Sequence, residues 1–244
     1  MKGHKYAILG DIHANWEALT AVLEDAETNG VNAYVCVGDI VGYNANPSEC
    51  LDKIREICGT AVVRGNHDHY VSHNESLDDF HPLAANVIDW TKKQLSDEQI
   101  KYLRNLRLSR IVDRFTIVHS TLDMPEKWGY VLDTLDASAN FNYQNTSICF
   151  HGHTHVPVVF EHQSHVTRTT PTVFTTTLGR KYFINTGSVG QPRDGDIRAS
   201  YIIYEPKIRR VELRRVEYDI KTTQRKIIEA GLPERLASRL EYGK

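Results

Sequence analysis

The chain has 244 residues, of which 41% are hydrophobic and 25% charged, enough for one large globular domain with its own core. Its formal charge of −2 excludes a general attraction to nucleic acid or to anionic membranes, because such binding uses a basic surface patch. The short apolar stretch at the N-terminus and the four cysteines without a C-x-x-C pair predict a cytoplasmic protein with reduced core thiols.

The N-terminal third alternates predicted strands and helices. Short apolar runs predict strands at 6–9, 34–37 and 61–63, and helical patterns lie between them near 16–28 and 47–57. This alternation is typical of βαβ units with a parallel sheet. Asp11, Asp39 and Asn66 each follow one of these strands, so we expect them at the sheet edge where open α/β proteins bind ligands.

The rest of the chain predicts helices first and strands afterwards. Helices are predicted at 82–94 and from Ser96 to about 106, the second with a Ser96–Gln99 capping box. Strands are predicted at 115–118, 147–150, 156–160, 181–184, 200–204 and 207–216. Most of them look like hairpins, so we expect a second, more antiparallel sheet packed on the first. An amphipathic helical tail from about 221 completes the single predicted domain, 1–244.

Five short motifs directly after predicted strands concentrate histidine and carboxylate side chains: GDIH, GD at 38–39, GNHD at 65–68, His119 and GHTH. Residues two apart in an extended segment point the same way, so each of GDIH and GHTH can direct two side chains at one cation. Taken singly, most of these motifs are explained by a turn, a helix cap or a histidine at the end of a core strand. As a set at one sheet edge, they predict a metal site.

The ordered series D-x-H, G-D, G-N-H-D, H and G-H-x-H, from 11 to 155, resembles the calcineurin-like metallophosphoesterases. That resemblance implies an α/β fold, a four-layer αββα sandwich with two mixed sheets and a dinuclear metal site at the C-terminal ends of strands. The implied ligands are Asp11, His13 and His155 for one metal, Asn66, His119 and His153 for the other, and Asp39 as the bridge. His67 stays unligated as the implied catalytic histidine.

Nitrogen and oxygen ligands without thiolate favour two divalent ions among Mn, Fe, Co, Ni and Zn. Two such ions against two carboxylates leave a charge of about +2, which favours a small anionic phosphoester as substrate. The predicted reaction is in-line attack on phosphorus by a metal-bridging hydroxide. His67 is predicted to protonate the leaving oxygen, and Asp68 to orient His67.

The second motif departs from that of the Ser/Thr phosphatases and dinucleoside tetraphosphatases, because Gly42 and Tyr43 stand where those enzymes have an Asp and a phosphate-binding Arg. Arg64 does match an Arg of those enzymes and is predicted to bind substrate. GDIVGYNANP resembles the small bacterial and archaeal phosphodiesterases, so we expect a phosphodiester substrate. A phosphomonoesterase, a nuclease or a non-catalytic scaffold of the same fold are the alternatives, and the oligomeric state stays open.

The glycine-rich segment 185–196 also resembles that phosphodiesterase branch and offers Arg193 to a substrate phosphate. Because Gly and Pro punctuate loops generally, we interpret it as a structural turn and do not predict Arg193 as a site residue. His69, His73 and His81 could shape a substrate wall, but most of them are interpreted as solvated, and none is predicted as a site residue.

Overall fold

A computed structural model of the chain describes residues 3–75, 77, 82–170 and 172–244, with the side chains of 82–84 excepted. In chain order its strands are β1 (Tyr6–Leu9), β2 (Ala33–Cys36), β3 (Ser109–Val112), β4 (Phe115–Val118), β5 (Ile148–His151), β6 (Val158–His162), β7 (Val166–Thr169), β8 (Val173–Thr175), β9 (Lys181–Asn185), β10 (Ala199–Glu205) and β11 (Arg210–Val216). Within the described ranges they form two sheets, ordered β2-β1-β10-β11-β8 and β3-β4-β5-β9-β6-β7. Both sheets mix parallel and antiparallel pairs.

The helices are α1 (Trp16–Thr28), α2 (Pro47–Cys58), α3 (Asn66–Ser72), α4 (Pro82–Gln94), α5 (Asp97–Asn105), α6 (Thr134–Phe141), α7 (Ile220–Glu229) and α8 (Glu234–Ser238), with short 3-10 helices at Pro125–Lys127 and Arg239–Glu241. The local sequence explains where several of these helices begin. Asn15 Oδ1 accepts the Ala18 N–H of α1 at 3.1 Å, and Ser96 and Gln99 form the predicted capping box of α5.

Most of the buried apolar side chains lie in three layers. Successive side chains of β1 point alternately into two of these layers. Ala7 and Leu9 pack with α1 and α2 on one face, whereas Ile8 packs with Phe150 of the other sheet. A third layer lies between the second sheet and α6, where Phe141 packs. Each fully buried aliphatic or aromatic side chain contributes about 1.5–3 kcal/mol. The layers run helix, sheet, sheet, helix, so the predicted four-layer sandwich with two mixed sheets is confirmed.

Two predicted strand positions differ in the structure. The segment 61–63 makes only isolated bridges, Cys36 to Val62 and Val63 to Arg107, because the chain turns into α3 directly afterwards. The hairpin of β10 and β11 joins the first sheet rather than the second, since β10 pairs antiparallel with β1. Strand β1 therefore has β2 on one side and β10 on the other.

The C-terminal helices lie in the predicted helical tail and pack against α4. Val87 of α4 shares a buried cluster with Ile227, Leu236 and Leu240, and Tyr43 packs against that cluster. The tail thus contacts the loop that follows β2. The four cysteines are free and buried, and no helix in the described part of the chain is long and apolar enough to cross a membrane.

Candidate metal centre

The seven predicted metal ligands come together where four strands end. Asp11 and His13 follow β1, Asp39 follows β2, His119 follows β4, His153 and His155 follow β5, and Asn66 is the first residue of α3. Every one of these histidines and aspartates is buried. Among the described residues, three groups of possible ligand atoms each lie within 4.8 Å of one another. Two consist of predicted ligands, Asp11, His13 and His155, and Asp39, His119 and His153, whereas the third joins His13 and Asp39 to His67.

His13 and His155 face each other through Nε2 atoms 3.1 Å apart. Nδ1 of His13 lies 3.2 Å from Val41 O, and Nδ1 of His155 lies 2.6 Å from Gln191 O. A carbonyl only accepts, so each Nδ1 carries the proton and each neutral Nε2 presents a lone pair. Burial lowers the pKa of both rings and keeps them neutral. A cation fits between them, since two nitrogens bound to one metal at 2.0–2.1 Å stand about 3.0–3.4 Å apart.

Asp11 completes this first group. Its Oδ1 lies 3.3 Å from His155 Nε2 and 3.8 Å from His13 Nε2. Both carboxylate oxygens also accept the backbone N–H of His153, at 3.1 and 3.0 Å. A Cβ at position 152 would stand 2.2 Å from Asp11 Oδ2, so only glycine lets the GHTH turn approach this carboxylate.

His119 anchors the second group. Its Nδ1 donates to Val37 O at 2.9 Å, and its Nε2 lies 3.1 Å from Asn66 Oδ1 and 3.3 Å from Asp39 Oδ2. Burial alone would lower the pKa of His119, but the Asp39 carboxylate, with smaller contributions from Asp11 and Val37 O, acts in the opposite direction, and together they raise it to about 9. Without a metal, His119 therefore holds a proton on the nitrogen that would bind the ion, and a divalent ion would displace that proton.

His153 joins this group with the opposite ring orientation. Its Nε2 donates to Trp128 O at 2.9 Å, which leaves Nδ1 for a ligand. Tyr130 stacks on the ring with centroids 4.2 Å apart. Like His13, His119 and His155, this ring has one nitrogen held by a backbone carbonyl, an arrangement typical of metal-ligating histidines.

Asp39 connects the two groups through one atom. Its Oδ2 lies 3.6 Å from His13 Nε2 and 3.3 Å from His119 Nε2. Its Oδ1 accepts the His67 N–H at 2.8 Å and so caps the start of α3. Burial would raise the pKa of Asp39, but His119 and His67 hold it well below its usual value. This position suits a carboxylate shared by two cations.

Five of the seven predicted ligands have a left-handed backbone, with φ between 48° and 71°: Asp11, His13, Asp39, His153 and His155. A non-glycine residue in this region costs about 1–3 kcal/mol and persists only where the surrounding structure imposes it. Nothing in the sequence reveals this strain, because no glycine marks these positions.

The segment 185–196 holds two of the strained turns in place. Ser188 Oγ donates to Asp11 O at 2.8 Å, and Gly190 N donates to the same oxygen at 2.9 Å. Asn185 Nδ2, at the end of β9, donates to Gly152 O at 2.6 Å. The segment is thus the predicted structural turn, and it also contributes the Gln191 carbonyl that orients His155.

His67 differs from the other site histidines. Its Nδ1 is buried and has no hydrogen-bond partner among the described residues. Position 42 has a φ of +94°, and a Cβ there would stand 2.5 Å from this nitrogen. Burial lowers the pKa of His67 to about 4. No backbone carbonyl therefore fixes the ring, although a ligand atom of His67 lies close to those of His13 and Asp39.

Asp68 does not make the contact with His67 on which its predicted role depends. Its Oδ1 accepts the N–H groups of Ile40 at 2.9 Å and Val41 at 3.2 Å, and its Oδ2 accepts Gly65 N at 3.0 Å. Burial, followed by the charge of Asp39, raises the pKa of Asp68 to about 7. In this structure Asp68 ties the loop after β2 to the start of α3.

The two arginines considered from the sequence are placed differently from expectation. Arg64, the predicted substrate ligand, directs Nη1 to Arg104 O at the end of α5, at 2.7 Å. Arg193 lies beside the predicted ligand His155, with its backbone N–H 3.3 Å from His155 O and its Cζ 5.6 Å from the Tyr43 ring centroid. The only sequence signal for Arg193 was the resemblance of the segment 185–196 to the phosphodiesterase branch.

His69 and His73, interpreted from the sequence as solvated, are partly buried. His69 pairs with Glu75 at 2.9 Å and stacks on His73 with centroids 4.1 Å apart. His81 lies outside the described residues.

Known proteins were compared with the chain in sequence and in structure. The model of the calcineurin-like phosphoesterase superfamily domain matches residues 5–208. An uncharacterized protein of Methanocaldococcus jannaschii is 42% identical over 243 residues, 98% of each chain. The crystal structure of a metallophosphoesterase from Sphaerobacter thermophilus superposes with a TM-score of 0.90 at 41% identity over 100% of both chains.

A hypothetical protein from Pyrococcus horikoshii superposes with a TM-score of 0.79 at 21% identity over 98% of both chains, which shows a shared fold. The superfamily model covers most of the chain, and the relatives at 41% and 42% identity span it almost end to end. The chain therefore belongs to the calcineurin-like phosphoesterase superfamily, a family of metal-dependent enzymes that hydrolyse phosphoesters.

Proposed function

We propose that the protein hydrolyses a phosphodiester with two divalent transition-metal ions, drawn from Mn, Fe, Co, Ni and Zn. One observation carries this proposal. The Nε2 lone pairs of His13 and His155 face each other, and Oδ2 of Asp39 lies close both to His13 Nε2 and to His119 Nε2. Opposed lone pairs at the first point, and a carboxylate that raises the pKa of His119 at the second, favour positive charge at two neighbouring points.

In this proposal the first ion is held by Asp11, His13 and His155, the second by Asn66, His119 and His153, and Asp39 is shared. Bound ions supply a water that ionises near neutral pH and positive charge for the phosphoryl oxygens. The protein supplies the fixed positions of the ligands, because each ligating ring is held by a backbone carbonyl.

His67 is proposed as the proton donor to the leaving oxygen rather than as a ligand. It lacks the backbone carbonyl contact that orients the four ligating rings, so its proton is not committed to a backbone acceptor. Burial keeps it neutral before substrate binds, and an anionic phosphoester next to it favours the protonated form. Asp68 supports this step indirectly by fixing the loop of Asp39.

A diester fits the charges better than a monoester. Two divalent ions and two carboxylates leave about +2, and an ionised water lowers this to about +1. A diester carries one negative charge, and Tyr43 provides an aromatic face beside His67, with ring centroids 4.4 Å apart, for the second ester group. A phosphomonoesterase is the second candidate. The observation that favours it is the Arg193 guanidinium, whose Cζ lies 5.6 Å from the ring centroid of Tyr43, a ring that itself contacts His13 and His67.

The test compares kcat/KM for bis(4-nitrophenyl) phosphate and 4-nitrophenyl phosphate on one preparation loaded with one metal. We expect the diester to be turned over better, and both activities to vanish on chelation and return with metal. A clear preference for the monoester would favour the second candidate, a phosphomonoesterase. Activity that survives complete metal removal would overturn both.

A further inference from the structure

A groove of about 750 Å³ lies between α1 and α2, away from the residues of the candidate metal centre. None of the described residues that line it is a predicted ligand or the proposed proton donor. Its floor consists of partly buried apolar side chains that pack on the core beneath them: Trp16, Leu23, Val31, Tyr34 and Ile57. Hydrolysis at the metal centre gives this apolar groove no role.

The rims of the groove are acidic on both sides. Its described lining residues carry five carboxylates and one ammonium group, that of Lys53, which leaves a net charge of −4 at the groove, against −2 for the whole chain. The carboxylates are all exposed: Glu24 and Glu27 of α1, and Glu49, Asp52 and Glu56 of α2. Such a surface attracts cationic groups.

Glu24 and Glu27 are placed where α1 itself disfavours them. Glu27 lies in the last turn of α1, which contains no basic residue, and Glu24 lies one turn earlier. The negative end of the helix dipole opposes carboxylates there, and like charges three residues apart repel each other. Asp25, between them, pairs with Arg214 at 2.7 Å, whereas neither glutamate forms an ion pair with another described residue. A cation bound in the groove would compensate both charges.

The dimensions of the groove fit a short helix. Along α1 its lining residues run from Trp16 to Glu27, and along α2 from Glu49 to Ile57. The longer of these spans measures about 17 Å at 1.5 Å per residue, the length of an α-helix of about three turns. An amphipathic helix places an apolar stripe in such a groove, and its flanking side chains then lie against both rims.

We propose that the groove between α1 and α2 is a docking site for a basic amphipathic helix of a partner protein. The apolar stripe of that helix would cover the floor, and its Lys and Arg side chains would pair with the carboxylates of both rims. The charge of the rims favours this occupant over a second copy of the chain, whose net charge is also negative, because like charges at an interface repel each other. The docking site is independent of the reaction at the metal centre.

The experiment measures the binding of labelled synthetic peptides by fluorescence anisotropy, at low and at near-physiological ionic strength. The probe is a peptide of about four helical turns with Leu at i, i+3, i+4 and i+7 and Lys on both sides of that stripe. One matched peptide has Glu in place of Lys, and another has the same composition with the Leu positions scrambled. We expect the probe to bind at least about tenfold more tightly than either matched peptide, and more weakly as salt is added.

The double variant Glu24→Gln with Glu27→Gln should bind the probe about fivefold to tenfold more weakly, because it removes two rim charges and leaves the apolar floor intact. Its thermal midpoint should not fall, since the dipole of α1 opposes both carboxylates. Asp113→Asn with Glu234→Gln is the matched control, because both residues are exposed and lie outside the groove. This control should keep the affinity of the unmodified protein.

Three results overturn the docking site: no binding of the probe, equal affinity for the three peptides, or an equal affinity of the double variant and its control. Sedimentation velocity tests the remaining occupant. Self-association of the unmodified protein that the Glu24 and Glu27 changes alter would assign the groove to a second copy and overturn the proposal as well.

Discussion

Nε2 of His13 and Nε2 of His155 lie 3.1 Å apart, and neither ring has a proton to place between them, because Nδ1 of each donates to a backbone carbonyl. This pair of opposed lone pairs is unfavourable in a buried place without a cation. The fold therefore stores a cost at this point that a bound cation would relieve.

The first prediction follows from that cost. Adding Mn²⁺ or Zn²⁺ to chelator-treated protein should raise its thermal midpoint and give close to two ions per chain by elemental analysis. An ion at a free concentration of about 100 times its Kd raises the free energy of unfolding by about 2.7 kcal/mol. His155→Ala should reduce the gain, because it removes one of the opposed lone pairs. A well-folded, metal-replete sample with one ion or none would exclude a dinuclear site.

The second prediction separates the shared carboxylate from an unshared one. Asp39→Asn should lose both ions, because its Oδ2 approaches ligands of both groups, whereas Asp11→Asn should retain about one. Asp89→Asn, at an exposed position of α4, is the control and should keep two. Equal metal content in the Asp39 and Asp11 variants would contradict the assignment of Asp39 as the bridge.

The third prediction concerns His67 as the proton donor. His67→Ala should keep both ions and lose about 10²- to 10⁴-fold in rate on a diester with an alkyl leaving group. The loss on a nitrophenyl diester should be much smaller, because that leaving group needs no proton. If the variant loses an ion instead, His67 is a ligand, as its nearness to His13 and Asp39 would permit.

Sequence reasoning predicted that the proposed ligands lie at one sheet edge, where the structure brings them together, because most of the motifs follow an apolar strand whose end is readable from the local pattern. It misjudged the partner of β10, since nothing local to 199–216 says which sheet edge it will join. It also did not select Arg193, whose backbone N–H donates to His155 O, a contact between segments that are far apart in the sequence. The contacts of Asp68 were equally hidden, because they connect two loops through backbone groups.

The backbone strain of the ligands was invisible for a further reason. Left-handed φ values are usually signalled by glycine, and here they fall on aspartate and histidine. The surrounding hydrogen bonds, such as those from Ser188 and Gly190 to Asp11 O, impose the conformation from distant segments. Stability has therefore been given up locally for the positions of the ligands.

The fourth prediction measures that strain at His153, whose φ is 71°. His153→Gly and His153→Ala both remove the imidazole, so the difference between their free energies of unfolding reports the conformational cost of the backbone. With chelator present, the Gly variant should be more stable than the Ala variant by about 1 kcal/mol in urea unfolding, because only glycine adopts this region without steric cost. The matched pair at His162 in β6 should show the opposite order, since glycine destabilises a strand by roughly 0.5–1 kcal/mol relative to alanine. If Ala equals or exceeds Gly in stability at position 153, the turn relaxes when the side chain is removed, and the left-handed conformation is not imposed by the fold.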